Sequence, residues 1–203
     1  MPNMIVKPTS ITQAPPRSGL ERENLALKAR VAELEQLVVR DTLTPLFNRR
    51  YFIDELNRWC SRSNRYGGDY GLLFIDVDSL KAVNDQHGHL AGDVVLTAVA
   101  NALLALVRRS DIVARVGGDE FAILLVNISI DKLSRKAEHI SDTMRQLEVP
   151  YQGARLTPNV SVGFTPLEPG VRALDLIMRA DRSMYAAKQA KSADAPRKSA
   201  THQ

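Results

Sequence analysis

Cysteine is nearly absent from the sequence: Cys60 is the only one in 203 residues. A lone thiol cannot close an internal disulfide, so the fold is not a disulfide scaffold. Beside Trp59 in a helical pattern, Cys60 reads as a small buried hydrophobe. Long apolar runs are missing too. The longest, residues 94–107, is interrupted by Thr97 and Asn101 and falls short of the roughly 20 residues of a bilayer span, which excludes membrane insertion. The first residues carry neither the basic start nor the apolar block of a secretory signal, so a cytoplasmic protein is expected. Strong charge asymmetry is also lacking. With 27 basic and 23 acidic residues the formal charge is +4, too mild to predict a nucleic-acid partner. No internal repeat is present.

What remains is ordinary globular material. Hydrophobic residues make up 44% and charged residues 25%, which excludes wholesale disorder. The length suits one good-sized domain plus extensions at about 100 to 200 residues per domain. Pro2, Pro8, Pro15 and Pro16 among polar residues mark residues 1–18 as a flexible tail. Leu20, Leu27 and Leu34 then fall on a heptad, with Asn24, Val31 and Val38 between them. Leucine at d, with valine and a single Asn at a, predicts a parallel two-stranded coiled coil over residues 19–40. In that register the flanking charges attract, Glu23 toward Lys28 and Arg30 toward Glu35 of the other strand. An amphipathic helix lying on its own domain is the competing reading.

Residues 41–46 break the heptads, with Pro45 restricting the helix and Asn48 offered as the next cap. A single domain is expected over residues 41–188, then a second tail over 189–203. Phe52, Leu56 and Trp59 mark a helix, and Gly67-Gly68 closes the segment after it. Residues 72–75 form a continuous apolar run suited to a buried strand, and residues 94–107 a buried helix. Residues 112–116 and 121–126 flank Gly117-Gly118, the strongest hairpin signal in the chain. A helix over 131–147, a strand over 159–164 and a helix over 173–190 complete the order. The expected class is α+β, a sheet covered by helices.

Chemistry concentrates at two acidic clusters. In Phe74-Ile75-Asp76-Val77-Asp78 an apolar strand ends in two carboxylates, and buried acids must be paired, protonated or on a metal. In Gly117-Gly118-Asp119-Glu120-Phe121 a tight turn lets backbone approach a ligand and then presents two more. If the strand lies beside the hairpin, both sets meet at one edge. Asp76 and Asp119 then repel unless a hard divalent cation sits between them, and oxygen ligation alongside phosphate suits magnesium. Strand-end solvation and an ordinary turn are the alternatives without chemistry. His87 and His89 lack a thiol or a third histidine to complete a zinc site.

These residues, with others in fixed order, resemble the GGDEF domain of diguanylate cyclases. The shared motifs are Asp41-x-Leu43-Thr44-x-Leu46-x-Asn48-Arg49-Arg50, Asp76-x-Asp78-x-x-Lys81-x-x-Asn84-Asp85, Gly88-His89-x-x-Gly92-Asp93, Arg115-Val116-Gly117-Gly118-Asp119-Glu120-Phe121 and Ala180-Asp181-x-x-Met184-Tyr185-x-Ala187-Lys188. The resemblance implies a sheet like the palm of nucleotidyl cyclases and polymerases. It also implies condensation of two GTP into cyclic di-GMP and two pyrophosphates. It makes Asp76, the Val77 carbonyl and Asp119 ligands of magnesium, with manganese as an alternative ion. Glu120 stands near the metal and the attacking ribose 3′-hydroxyl, as ligand or base. Asn84 and Asp93 read guanine, and the backbone N–H groups of Ser79 and Leu80, with Lys188, hold phosphates. Ser192 stands where the family usually carries a phosphate-binding arginine. Lys191 beside it lacks the planar two-donor fork, so weaker triphosphate binding is expected.

Arg108-Arg109-Ser110-Asp111 matches the family's inhibitory Arg-x-x-Asp site, which implies feedback by cyclic di-GMP at Arg108 and Asp111. A basic helix end is the bland alternative. The two-fold symmetric product requires two facing domains, and the coiled coil gives a reason for a homodimer. Residues 1–18 are too few for a sensory domain, which leaves a protein activator, dimerisation or an upstream region as the source of activation. A catalytically impaired module that senses cyclic di-GMP or GTP is the second functional expectation.

Overall fold

The computed structural model describes residues 19–194. The flexible tails expected at 1–18 and beyond 194 lie outside the described residues. Residues 189–194, read from sequence as tail, are helical: the last helix runs on to Asp194. The chain divides into two units, residues 1–38 and 39–203.

In the first unit, helix α1 (Gly19–Val39) exposes Leu27 at 59% and Leu34 at 46%, along with Leu25. Two of the heptad leucines are therefore bare on the single chain.

The second unit begins with strand β1 (Phe47–Asn48) and helix α2 (Arg49–Tyr66). Asn48 caps that helix by accepting the Tyr51 N–H, and Gly67 ends it at a left-handed φ of 67°. Strand β2 (Tyr70–Asp78), helix α3 (Leu80–His87) and helix α4 (His89–Ala105) follow. Next come strands β3 (Ile112–Arg115) and β4 (Glu120–Val126), then helix α5 (Ile130–Gln146). Strands β5 (Val149–Tyr151) and β6 (Ala154–Leu156) form a small hairpin. Strand β7 (Asn159–Pro166) and helix α6 (Ala173–Asp194) close the unit. Relative to the sequence-based order, β1, α3 and the β5–β6 hairpin are additions. Each is too short to show a hydrophobic period.

The main sheet has strand order β1-β3-β4-β2-β7. Only β1 and β3 run parallel; the other neighbours are antiparallel. Side chains alternate across β2. Leu73, Ile75 and Val77 pack with Val95, Val99 and Leu103 of α4 and Leu133, Ile140 and Met144 of α5. Leu72 and Phe74 pack with Phe52 and Leu56 of α2 and Leu176, Ala180 and Met184 of α6. By the same period Asp76 and Asp78 face the α2–α6 side. Gly163 of β7 lies opposite Phe74, and a methyl there would overlap the backbone of α6, standing 2.6 Å from the Met184 Cα. A bare glycine thus lets α6 lie against the sheet, which carries Lys188 over Asp76.

Candidate active site

The register of β2 and β4 pairs Asp76 with Glu120. One residue on, the Val77 N–H donates to the Asp119 carbonyl at 2.9 Å. The two acidic clusters therefore meet at one end of the central antiparallel pair, the outcome expected if the strand lies beside the hairpin. Asp76 is buried at 8% exposure, and its Oδ1 takes a 2.5 Å charged hydrogen bond from Lys188 Nζ. Burial raises the proton affinity of Asp76, Asp119 and Asp78 add to the rise, and Lys188 offsets only part of it. Glu120 is pushed up by burial first and then by Asp119, Asp76 and Asp181, with Arg49 opposing. Lys188 is held above the usual lysine range chiefly by its bond to Asp76. Carboxylates costly to ionise together and facing one partly buried cation form a site that favours added positive charge.

Among the described residues no three His, Cys, Asp or Glu side chains form a ready metal cluster. Asp76 and Asp119 with the Val77 carbonyl would supply two side chains and one backbone oxygen, a hard-oxygen set with room for phosphate. Asp78 is engaged differently. It accepts from Ser161 Oγ at 2.8 and 3.1 Å and lies 3.6 Å from Lys191 Nζ, which also donates to the Val160 carbonyl. Lys191 is thus tied to β2 and β7. The side chain of Ser192 lies outside the described residues.

The glycine turn behaves differently from a simple hairpin signal. Neither Gly117 nor Gly118 takes a left-handed φ. At Gly117 a methyl would crowd Glu120, 3.0 Å from its Cδ and 3.1 Å from its Cβ, whereas Gly118 faces open space. The pair gives room to a carboxylate and to whatever approaches the backbone. Arginines hold the turn from outside. Arg115 Nε and Nη2 donate to the Gly118 carbonyl at 3.1 and 2.6 Å, and its Nη1 reaches Asp41 at 3.3 Å. Burial would raise Asp41, but bonds from Thr44 and the charge and bond of Arg115 outweigh it, and its pKa is lowered. Arg49 donates to the Val116 carbonyl at 3.1 Å. Sequence reading quoted Asp41, Arg49 and Arg115 without giving them this work, since no local pattern joins residues so far apart in the chain.

After β2 the chain turns through Ser79, at a left-handed φ of 60°, whose carbonyl accepts from Ala82 and Val83. Ser79 and Leu80 therefore stand at the start of α3, where backbone N–H groups point outward. Asn84 on α3 packs against Gly92 of α4, the residue before Asp93. Arg108 and Asp111 lie elsewhere, at the opposite end of the β3–β4 hairpin from Asp119. The Asp111 carboxylate accepts from the Arg108 N–H at 2.9 Å and the Val126 N–H at 3.4 Å. They line a cavity of about 290 Å³ with Lys132, Arg135, Lys136 and His139 of α5. Those four basic residues were missed from sequence, although their i, i+3, i+4, i+7 spacing on one helix face is legible.

A mixed sheet with helices on both faces and paired acids beside a glycine turn defines a palm-like α+β fold. The family model described as "Diguanylate cyclase, GGDEF domain" matches residues 38–194. The diguanylate cyclase DgcP of Pseudomonas aeruginosa is 32% identical over 173 residues, 85% of this chain and 26% of that protein. The structure of diguanylate cyclase SiaD with its activator SiaC, from the same organism, superposes with a TM-score of 0.75 at 33% identity, covering 84% of this chain and 66% of that one. The coiled coil and GGDEF domain of DgcB from Caulobacter crescentus, in complex with c-di-GMP, gives 0.72 at 28% identity, covering 85% and 96%. The chain belongs to the GGDEF-domain diguanylate cyclase family. It spans only about a quarter of DgcP. No helix among the described residues is long and apolar enough to cross a membrane.

Proposed function

We propose that the protein is a diguanylate cyclase, joining two GTP molecules into cyclic di-GMP with release of two pyrophosphates. The observation that carries this reading is the β2–β4 register, which sets Asp76 opposite Glu120 and bonds Val77 to Asp119. The family's named cyclases supply the reaction by likeness. Asp76, the Val77 carbonyl and Asp119 would hold magnesium, or manganese in its place, with Glu120 adjacent. Their fit rests on an all-oxygen donor set and, for Asp76 and Glu120, on burial and neighbouring carboxylates that disfavour the ionised form. A bound ion supplies neutralisation of phosphate charge as pyrophosphate leaves.

The chain's own residues then divide the work. Asp93 accepts from the N1–H and N2 amine of guanine, a donor pair that adenine lacks on that edge, and Asn84 contacts the same base. Backbone N–H groups at Ser79 and Leu80 meet phosphate oxygens. Lys188, released from Asp76, moves its charge onto the triphosphate. Glu120 takes a proton from the attacking 3′-hydroxyl or ligates beside it. Each domain holds one GTP, so ring closure requires a second domain. The domain plan is a coiled-coil helix over residues 19–40, which supplies that partner as a parallel homodimer, and a catalytic domain from 41 that includes all of α6. SiaD, with its activator SiaC, offers a precedent for a protein activator.

Purified protein with GTP and magnesium is expected to yield pyrophosphate and a cyclic dinucleotide. A folded dimer that yields neither, yet binds cyclic di-GMP tightly, would instead be a sensing module.

Product feedback at the second site is part of the proposal. Arg108, Lys132, Arg135 and Lys136 surround one cavity, and arginine suits both the phosphates and the Hoogsteen edge of a guanine dinucleotide. Arg108→Ala is expected to abolish inhibition by added cyclic di-GMP and to weaken its calorimetric affinity by about tenfold or more. Lys132→Ala moves the same way by a smaller step. Unchanged inhibition of Arg108→Ala would put the regulatory site elsewhere.

A further inference from the structure

The contact between α3 and α4 is unusually close at one point. Gly92 is buried in the first turn of α4, and the amide oxygen of Asn84 points to where its Cβ would stand. A methyl at Gly92 would overlap Asn84 Oδ1 and stand 3.0 Å from its Cγ and 3.4 Å from its Nδ2. Gly92 does not take a left-handed φ, so its backbone conformation is open to any residue. Glycine is also the weaker choice inside a helix. The missing side chain therefore serves the neighbour rather than the backbone.

That neighbour is itself unusual. Asn84 Oδ1 is buried and has no hydrogen-bond partner among the described residues. With the oxygen turned onto Gly92, Nδ2 is the amide's donor end, and the next residue of α4 is Asp93. An amide donor from Asn84 and a carboxylate from Asp93, the residue after Gly92, would match an acceptor next to donors, which is O6 beside N1–H and the N2 amine in guanine. Adenine presents an amine where O6 stands, so the Asn84 donor would meet another donor.

We propose that Gly92 is a specificity-determining position. By leaving its Cβ volume to the Asn84 amide, it lets Asn84 and Asp93 read one guanine edge together. Gly92 acts through Asn84 and is a positioning residue, and the inference rests on the reading above that the base sits at these two side chains.

The test uses the full chain, calorimetry with a non-hydrolysable GTP analogue, and steady-state kinetics with GTP. Gly92→Ala is expected to lower analogue affinity by roughly tenfold and raise KM in proportion, with kcat changed by less than about threefold. Its preference for GTP over ATP should fall by a similar factor. Asn84→Ala is expected to show the same losses, and the double variant no more than Asn84→Ala alone, because the methyl then has nothing to displace.

Wild-type affinity and selectivity in Gly92→Ala, alongside a loss in Asn84→Ala, would overturn the proposal while sparing the base-site reading. Losses that simply add would also overturn it. Wild-type affinity in Asn84→Ala would remove the base-site reading and the proposal together. Should Gly92→Ala melt below the assay temperature, the double variant Gly92→Ala, Asn84→Ala has no side-chain atom beyond Cβ to meet the methyl. It is expected to melt as Asn84→Ala alone does and to bind as Asn84→Ala does. A pair as unstable as the single variant would refute the steric link.

Discussion

Glu120→Gln is expected to reduce turnover by about a hundredfold to ten-thousandfold, the range for removing a positioned acid or base, while raising the melting temperature of the metal-free protein at pH 7. The melting sign follows from the electrostatics of the site. Burial and the neighbouring Asp119, Asp76 and Asp181 raise the pKa of Glu120 in the fold, so the folded chain takes up its proton more readily than the unfolded chain does. For a carboxylate with a raised pKa, the penalty is absent below its unfolded pKa and grows as pH rises through the folded one. The neutral amide escapes that penalty. The melting advantage of Glu120→Gln should therefore shrink as pH is lowered toward the ordinary carboxylate range. Magnesium with a GTP analogue should stabilise the wild type more than the variant, since bound ligand adds to folded-state stability. Thermal melts across pH, with and without the ion, together with turnover at saturating GTP, check each part. Undiminished turnover would remove Glu120 from the reaction. A variant that melts lower at every pH would contradict the electrostatic account.

The second large effect concerns assembly. Leu27→Asp with Leu34→Asp places two charges on the exposed face of α1, and the pair is expected to halve the solution mass measured by light scattering. A short coiled coil holds its two domains at an effective concentration near the millimolar range. At about 1 µM protein, its loss should lower turnover per subunit by roughly two to three orders of magnitude. Turnover per subunit should then rise with protein concentration in the variant and stay flat in the wild type. GTP-analogue affinity per subunit should be unchanged if, as proposed, each domain holds its own nucleotide. A variant of wild-type mass and concentration-independent turnover would exclude the zipper.

Much of this was legible before any coordinate was known, for reasons that differ residue by residue. The apolar run into Asp76 marked a buried strand ending in acids, because four large aliphatic or aromatic side chains in succession leave no solvent-facing side. Phe52 and Leu56 marked α2 by their spacing, and both are buried. The glycine pair marked the β3–β4 connection correctly. The turn needs no left-handed glycine; it needs space for Glu120 at Gly117 and an open approach at Gly118.

Short elements were not legible. β1 has two residues and exists only because β3 offers it a parallel edge. Likewise the boundary drawn at residue 188 fell short, since polar residues 189–194 show little period and are carried on by the helix before them.

The order of residues alone determined that acids would follow an apolar strand, that others would follow a glycine turn, and that a leucine heptad would precede both. Those are properties of neighbours along the chain, governed by local period and turn chemistry. Folding decided which of them meet. The β2–β4 register put Asp76 against Glu120, Gly163 admitted α6 so that Lys188 reached Asp76, and α5 brought its basic face to Arg108. Such contacts depend on strand register and helix packing distance, and neither is encoded by any one segment in isolation.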